Sequence, residues 1–216
     1  MSEKWLVIGV SGVTCGGKTT IANKLNNIFP NAKVVNQDDY FLSMNDPRHT
    51  LIKELNHINF DILSSLDMDK MTYDVHAIIR GGTSVCETLA SKNSRIFPDL
   101  TTADDLQKLA ATIITGTNIK ILIIEGFCIF NFTPIEKLCN LKYFITLNYD
   151  ECYARRQNRI YEPPDCPGYF DMCAWPEYLK HYKEIKVKVH GITYFNECSN
   201  EPVKKILCDV ICLLTN

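Results

Sequence analysis

The sequence lacks a surplus of positive charge: 23 Lys and Arg stand against 25 Asp and Glu, a formal net charge of −2, and no run of five like charges occurs. A nucleic-acid backbone or an anionic membrane surface has no counterpart in such a chain, so a small-molecule partner is expected. Long apolar runs are also missing. After Lys4 only six largely apolar residues precede Ser11 and Gly12, too few for a signal-peptide core or a membrane span, so a cytoplasmic protein is expected. Cysteine is plentiful, with ten residues, yet none form C-x-x-C. Cys128, Cys139, Cys208 and Cys212 sit in apolar surroundings and read as reduced, buried small hydrophobes. Cys166, Cys173, His181 and Cys198 do not have the spacing of a zinc site. Two nucleotide signatures are absent: without G-x-G-x-x-G there is no dinucleotide-binding loop, and without Asn-Lys-x-Asp there is no guanine-reading switch.

What is present is a phosphate loop. The apolar run Trp5-Leu6-Val7-Ile8 leads into Gly12-Val13-Thr14-Cys15-Gly16-Gly17-Lys18-Thr19-Thr20 and leaves as a helical pattern, which fits G-x-x-x-x-G-K-[ST]. Backbone N–H groups can wrap a phosphate chain only if the loop curls tightly, which Gly12, Gly16 and Gly17 allow. Lys18 then reaches the β- and γ-phosphates, Thr19 offers a hydroxyl to Mg²⁺, and the following helix adds its N-terminal partial charge.

Further along, three features address the same ligand. The β-type run 32–36 ends in Gln37-Asp38-Asp39, and Ile121-Leu122-Ile123-Ile124 ends in Glu125-Gly126, so carboxylates stand where parallel strands finish, the edge at which open α/β sheets bind ligands. Glu125 is a candidate for ordering Mg²⁺ or its waters. On a helix starting at Asp150, Arg155 and Arg159 share a face while Arg156 turns about 100° away, so the three can address two ligands; a planar fork suits phosphate oxygens. The Pro/Gly/aromatic stretch 161–170 has the composition of a lid. Residues 42–59 read as a loop with one helical turn, Asp61 as a helix cap or a ligand contact, 103–114 as a helix within the otherwise poorly legible segment 83–118, and 203–214 as a closing helix with Lys204 and Asp209 on its far side. Together these features describe a small-molecule kinase in which Asp38 takes a hydroxyl proton and the arginines shield the moving phosphoryl group.

Gly12 to Thr20, Gln37-Asp38-Asp39, Phe60-Asp61, Ile121 to Phe127, Arg155 to Arg159, the Tyr161 to Phe170 stretch and Trp175-Pro176 resemble the nicotinamide riboside kinases of the uridine-kinase-like group. The lid sequence Pro-Pro-Asp-x-Pro-Gly-Tyr-Phe is the specific part, since the phosphate loop is widely shared. The resemblance implies one domain over 1–216 with the α/β P-loop kinase fold: a parallel five-stranded sheet flanked by helices, with a lid near 155–170. It also implies ATP- and Mg²⁺-dependent phosphorylation of the 5′-hydroxyl of nicotinamide riboside, and of nicotinic acid riboside, in NAD salvage. By position Asp38 would be the proton acceptor and Mg²⁺ neighbour, Thr19 the Mg²⁺ ligand and Asp61 the group holding the ribose hydroxyls. Arg155 and Arg159 would face ATP, with Arg156, Asp39 and Asp165 on the nucleoside side. The aromatic pair that sandwiches the pyridine falls on Phe60 and Tyr161, Phe60 standing where the family usually has Tyr. Two faces suit a pyridinium cation by ~0.5 to 2 kcal/mol. A uridine-kinase-like enzyme and a non-catalytic nucleotide-binding module are the alternatives.

Overall fold

The computed structural model describes residues 4–81, 84–85, 103–196, 198–199, 201 and 202–215. Its elements in chain order are β1 (Lys4–Gly12), α1 (Lys18–Ile28), β2 (Lys33–Asn36), β3 (Leu51–Ile52), β4 (His57–Ile58), α2 (Met68–Arg80), β5 (Ser84–Val85), α3 (Ala103–Thr115), β6 (Ile119–Glu125), α4 (Thr133–Glu136), β7 (Leu141–Ile145), α5 (Tyr149–Gln157), α6 (Trp175–Lys188), β8 (Ile192–Phe195) and α7 (Pro202–Thr215). Five parallel strands lie in the order β2-β6-β1-β7-β8, and the two-residue β5 pairs with the start of β1.

β1 is apolar from Trp5 to Val10 because it is covered on both faces. Trp5 and Val7 enter a core shared with α2 and α6, while Leu6, Ile8 and Val10 enter one shared with α1, α3 and α7. The register aligns the strand ends that matter: Val10 lies opposite Glu125, Asn36 opposite Glu125, and Gly12 opposite Ile145. From β1 the chain crosses towards β2, and from β7 towards β8, in opposite directions along the sheet. A crevice therefore opens beyond the C-terminal ends of β1 and β7, at the topological switch point.

Four details differ from the sequence reading. The 42–59 stretch contains an antiparallel hairpin of β3 and β4; strands of two residues show no periodicity to read. α2 is capped by Asp67, whose side chain accepts from Lys70 N–H, and not by Asp61. Asp209 does not stand apart from the core side of α7, because it accepts the Tyr143 hydroxyl at 3.0 Å. Cys128, Cys139 and Cys212 are buried as expected, but Cys208 only partly. Within 83–118, helix α3 confirms the expected helix; most of the remainder lies outside the described residues. No described helix is long and apolar enough to cross a membrane.

Candidate active site

The phosphate loop runs from the end of β1 into α1. Gly12 has φ 132° and lies so close to β7 that a Cβ there would sit 2.2 Å from the Ile145 carbonyl oxygen, so no other residue fits without moving the sheet. Gly17 (φ 89°) and Cys15 (φ 55°) complete the left-handed part of the curl. Val13 N–H anchors the loop to Ile145 O at 3.0 Å. Lys18 folds back over it, Nζ donating to Val13 O at 2.9 Å. Burial pulls the Lys18 pKa below its ordinary value, against the opposing pull of Glu125 and then Asp38.

The carboxylates arrive as the strand ends suggested. Glu125 is 2% exposed and its Oε1 accepts from Thr19 Oγ1 at 2.8 Å. Its pKa is raised by desolvation, which Lys18 and the Thr19 hydrogen bond oppose. Gly126 lets the next segment pass: a Cβ there would meet Gln37 at 2.3 Å. After β2 the chain makes one turn of 3₁₀ helix over Gln37–Tyr40, with the Asn36 side chain accepting Asp38 N–H. That turn brings Asp38 to the cavity but leaves Asp39 exposed and outside its lining. Asp39 thus stands apart from the other expected substrate contacts, because successive residues of a turn project in different directions.

Past the loop lies a cavity of about 340 Å³ whose lining joins Lys18 and Asp38 to Phe60, Asp61, Arg156 and Tyr161. α5, which starts at Tyr149, one residue before the expected Asp150, and is capped by Asn148, supplies the arginines. Arg156 is 6% exposed and grips Asp165 with two hydrogen bonds, Nε to Oδ2 at 2.6 Å and Nη2 to Oδ1 at 3.0 Å, while Nη1 donates to Thr14 Oγ1 at 3.1 Å. Burial alone would lower its pKa, but the Asp165 hydrogen bond and the Asp61 charge outweigh it and raise the value. Arg159 lines the same cavity. Arg155 does not: it pairs with Glu151 on the outer face of α5 and reaches the loop only through Nη1 to Cys15 O at 3.4 Å.

Asp61 is held at three points. Its N–H donates to Asn59 Oδ1 at 3.0 Å, its carbonyl bonds His181 Nε2 at 2.8 Å, and its Oδ2 accepts the Tyr169 hydroxyl at 2.9 Å. Desolvation raises its pKa, with Arg156 and then the Tyr169 hydrogen bond working against that shift. Of the expected aromatic pair, Phe60 and Tyr161 both line the cavity. Tyr161, however, is tied to the loop: its hydroxyl shares hydrogen bonds with Thr14 Oγ1 (3.2 Å) and Cys15 Sγ (3.3 Å), and the Arg156 and Arg159 guanidinium carbons lie 4.4 and 5.0 Å from its ring centre. Two rings went unnoticed in the sequence. Phe41 and Phe127, stacked at 6.1 Å and 15°, line the same cavity, and Phe41 meets Phe60 edge-on at 5.9 Å. Their signal was available: each follows closely on a carboxylate at a strand's C-terminal end.

Among the described residues no cluster of three or more His, Cys, Asp or Glu could hold a metal ion. The donors at the loop are a hydroxyl, Thr19, and the carboxylates of Glu125 and Asp38, oxygen ligands that suit Mg²⁺ completed by phosphates and water.

Comparison with known proteins agrees with this geometry. The model of the phosphoribulokinase / uridine kinase family matches residues 7–162. Nicotinamide riboside kinase 1 of Rattus norvegicus is 37% identical over 199 residues, 92% of this chain and 89% of the relative. The Homo sapiens protein of that name is 35% identical over 92% of this chain and 87% of its own length, and human nicotinamide riboside kinase 2 is 30% identical over 95% and 80%. Among solved structures, a possible uridine kinase from Bacillus stearothermophilus aligns with a TM-score of 0.42 at 13% identity over 89% of this chain and 90% of that one, too remote to add to the sequence relationship. With a phosphate loop, strand-end carboxylates and an arginine-bearing helix around one cavity, and with relatives this similar over nearly its whole length, the chain belongs to the phosphoribulokinase / uridine kinase family and, within it, to the nicotinamide riboside kinases.

Proposed function

We propose that this chain transfers the terminal phosphoryl group of ATP to the 5′-hydroxyl of nicotinamide riboside, and of nicotinic acid riboside, forming the mononucleotide used in NAD salvage. The observation that carries the reading is the single cavity joining Lys18 and Asp38 to Phe60, Asp61 and Arg156. A nucleoside lying along it has its sugar at the carboxylates and its base among aromatic faces. Asp38 accepts the proton of the 5′-hydroxyl as that oxygen bonds the γ-phosphorus and the bond to the ADP oxygen breaks. Lys18, drawn from its contact with Val13 O, offsets charge on the phosphates, and Arg159 adds a second cation from the lid side. Thr19 and Asp38 would hold Mg²⁺, with Glu125 behind Thr19; a bound Mg²⁺ supplies neutralisation of the β- and γ-oxygens. Asp61 accepts from the ribose hydroxyls, and the aromatic walls attract the pyridinium by its positive charge.

The segment 155–170 serves as the lid of one domain spanning 1–216, and the nine described cysteines, all free thiols, fit a cytoplasmic setting. Steady-state turnover with nicotinamide riboside, nicotinic acid riboside and uridine, each with ATP or GTP, tests the reading. A clear preference for the pyridine nucleosides is expected. Uridine used as well or better would make this a uridine-kinase-like enzyme, and no nucleoside-dependent ATP consumption would make it a binding module.

A further inference from the structure

One buried hydroxyl at the acceptor end has no task in the mechanism above. Tyr169 is 1% exposed, and its OH accepts Phe60 N–H at 2.9 Å while donating to Asp61 Oδ2 at 2.9 Å. A single oxygen thus joins the residue that offers an aromatic face to the residue that offers a carboxylate, although more than a hundred positions separate it from both. Its own placement is secured from several sides. Tyr169 N–H bonds Cys166 O at 3.0 Å, its ring meets His57 at 4.9 Å and 62°, and the Arg156 guanidinium carbon lies 5.6 Å from the ring centre.

The Asp61 backbone is fixed by Asn59 and His181, but backbone contacts leave the carboxyl group free to turn about its side-chain bonds. Among the described residues the hydrogen-bond donor on that group is Tyr169. Because the hydroxyl occupies one lone pair of Oδ2, a sugar is met more readily through Oδ1, whose direction the tyrosine sets.

We propose that Tyr169 is a positioning residue for nucleoside selection: its hydroxyl aims the Asp61 carboxylate at the sugar and locks the Phe60 backbone, so that ring and carboxylate hold one register. The proposal rests on the reading of Asp61 as the ribose contact. A hydrogen bond to a charged group is worth more than a neutral one, so its loss should be visible in binding. It should also be visible in pH dependence. Desolvation raises the Asp61 pKa; Arg156, the Tyr169 hydrogen bond and His181 pull it down, and Asp165 pushes it up. The Cys128 and Cys173 thiols also lie near it, both raised by burial. Without the tyrosine hydroxyl one of the downward pulls disappears, so Asp61 protonates at higher pH and stops accepting from the sugar.

The experiment compares Tyr169→Phe, Asp61→Ala and the double variant on nicotinamide riboside and its 2′-deoxy analogue, with ATP affinity measured beside them. For Tyr169→Phe the expected result is a KM for the ribonucleoside raised roughly tenfold to a hundredfold, a much smaller change in kcat, a small change for the deoxy analogue, and an acid limb of kcat/KM moved to higher pH. In the Asp61→Ala background the same change should add little. ATP affinity should be kept. If Tyr169→Phe leaves KM, selectivity and the acid limb unchanged while Asp61→Ala loses selectivity, the positioning role is wrong and the ribose reading survives. If Asp61→Ala itself keeps the selectivity, the ribose reading has failed. Loss of ATP binding in Tyr169→Phe would mark the residue as packing alone and overturn the proposal.

Discussion

At the donor end of the cavity, most of the groups proposed to meet a phosphate chain come from the nine consecutive residues 12–20, with Glu125 as their distant partner and Arg159 added from beyond α5. At the acceptor end Phe41, Phe60, Asp61, Phe127, Arg156 and Tyr169 arrive from separate parts of the chain and meet only in the folded protein. The first arrangement is local and addresses a moiety common to all nucleoside triphosphates. The second depends on how α5, α6 and the hairpin of β3 and β4 pack together, and selectivity for one nucleoside has to come from it. Changes at the donor end should therefore lower turnover of every nucleoside alike, and changes at the acceptor end should alter which nucleoside is preferred.

The largest expected effect is on selectivity at Asp61. A site built around a substrate hydroxyl can reject the analogue lacking it by up to ~10⁴ to 10⁵, so 2′-deoxy nicotinamide riboside should be a very poor substrate for the unaltered protein. In Asp61→Ala that ratio should collapse, with kcat/KM for the ribonucleoside falling toward the deoxy value. An unchanged ratio would remove Asp61 from the acceptor site.

Next comes Asp38→Asn, which should lower kcat by ~10² to 10⁴ for nicotinamide riboside and nicotinic acid riboside equally. Asp38 is exposed, so the melting temperature should hardly move. Near-full activity with Mg²⁺ saturating would shift the base to Glu125, and unequal losses would break the distinction between the two ends.

Phe60→Leu keeps an apolar wall but removes the ring face. If that face attracts the pyridinium, the loss of ~0.5 to 2 kcal/mol should raise KM for nicotinamide riboside by about two- to thirtyfold while affecting uridine much less. Equal effects on the two would assign the pyridinium to Phe41 and Phe127.

The smallest effect sharpens the comparison by leaving the site alone. Asp67→Ala removes the cap of α2 and should cost ~0.5 to 2 kcal/mol of stability, seen as a lower melting temperature, with deoxy discrimination intact. Asp61→Ala and Asp67→Ala thus form a pair, one moving selectivity and the other stability.

These outcomes follow the boundary between what could be read from the sequence and what could not. The loop, its preceding strand and the carboxylates at Asp38 and Glu125 were legible because each is a short contiguous pattern: an apolar run, glycines at fixed spacing, an acid after a strand. α1, α3 and α7 were legible as helices. The hairpin of β3 and β4 was not, since two residues carry no period. The cap of α2 was missed, since Asp61 was read as the candidate and only the Lys70 N–H shows that Asp67 is the residue that turns into the helix. The Tyr169 hydroxyl was invisible for a different reason. Its sequence motif identifies the residue, but its partners, Phe60 and Asp61, are brought to it by tertiary packing that no local pattern encodes.

Arg156 touches both halves of this arrangement, with Nη1 on Thr14 of the phosphate loop and its other nitrogens on Asp165 of the lid. In the proposed binding mode, a ligand that shifts Thr14 would change the setting of a guanidinium placed to face the nucleoside, and the free energies of binding the two substrates would then be coupled. Linkage makes the dependence symmetrical: whatever factor bound nucleotide applies to nucleoside affinity, bound nucleoside must apply to nucleotide affinity. The guanidinium that braces the proposed lid would thereby also be the thermodynamic connection between two binding equilibria.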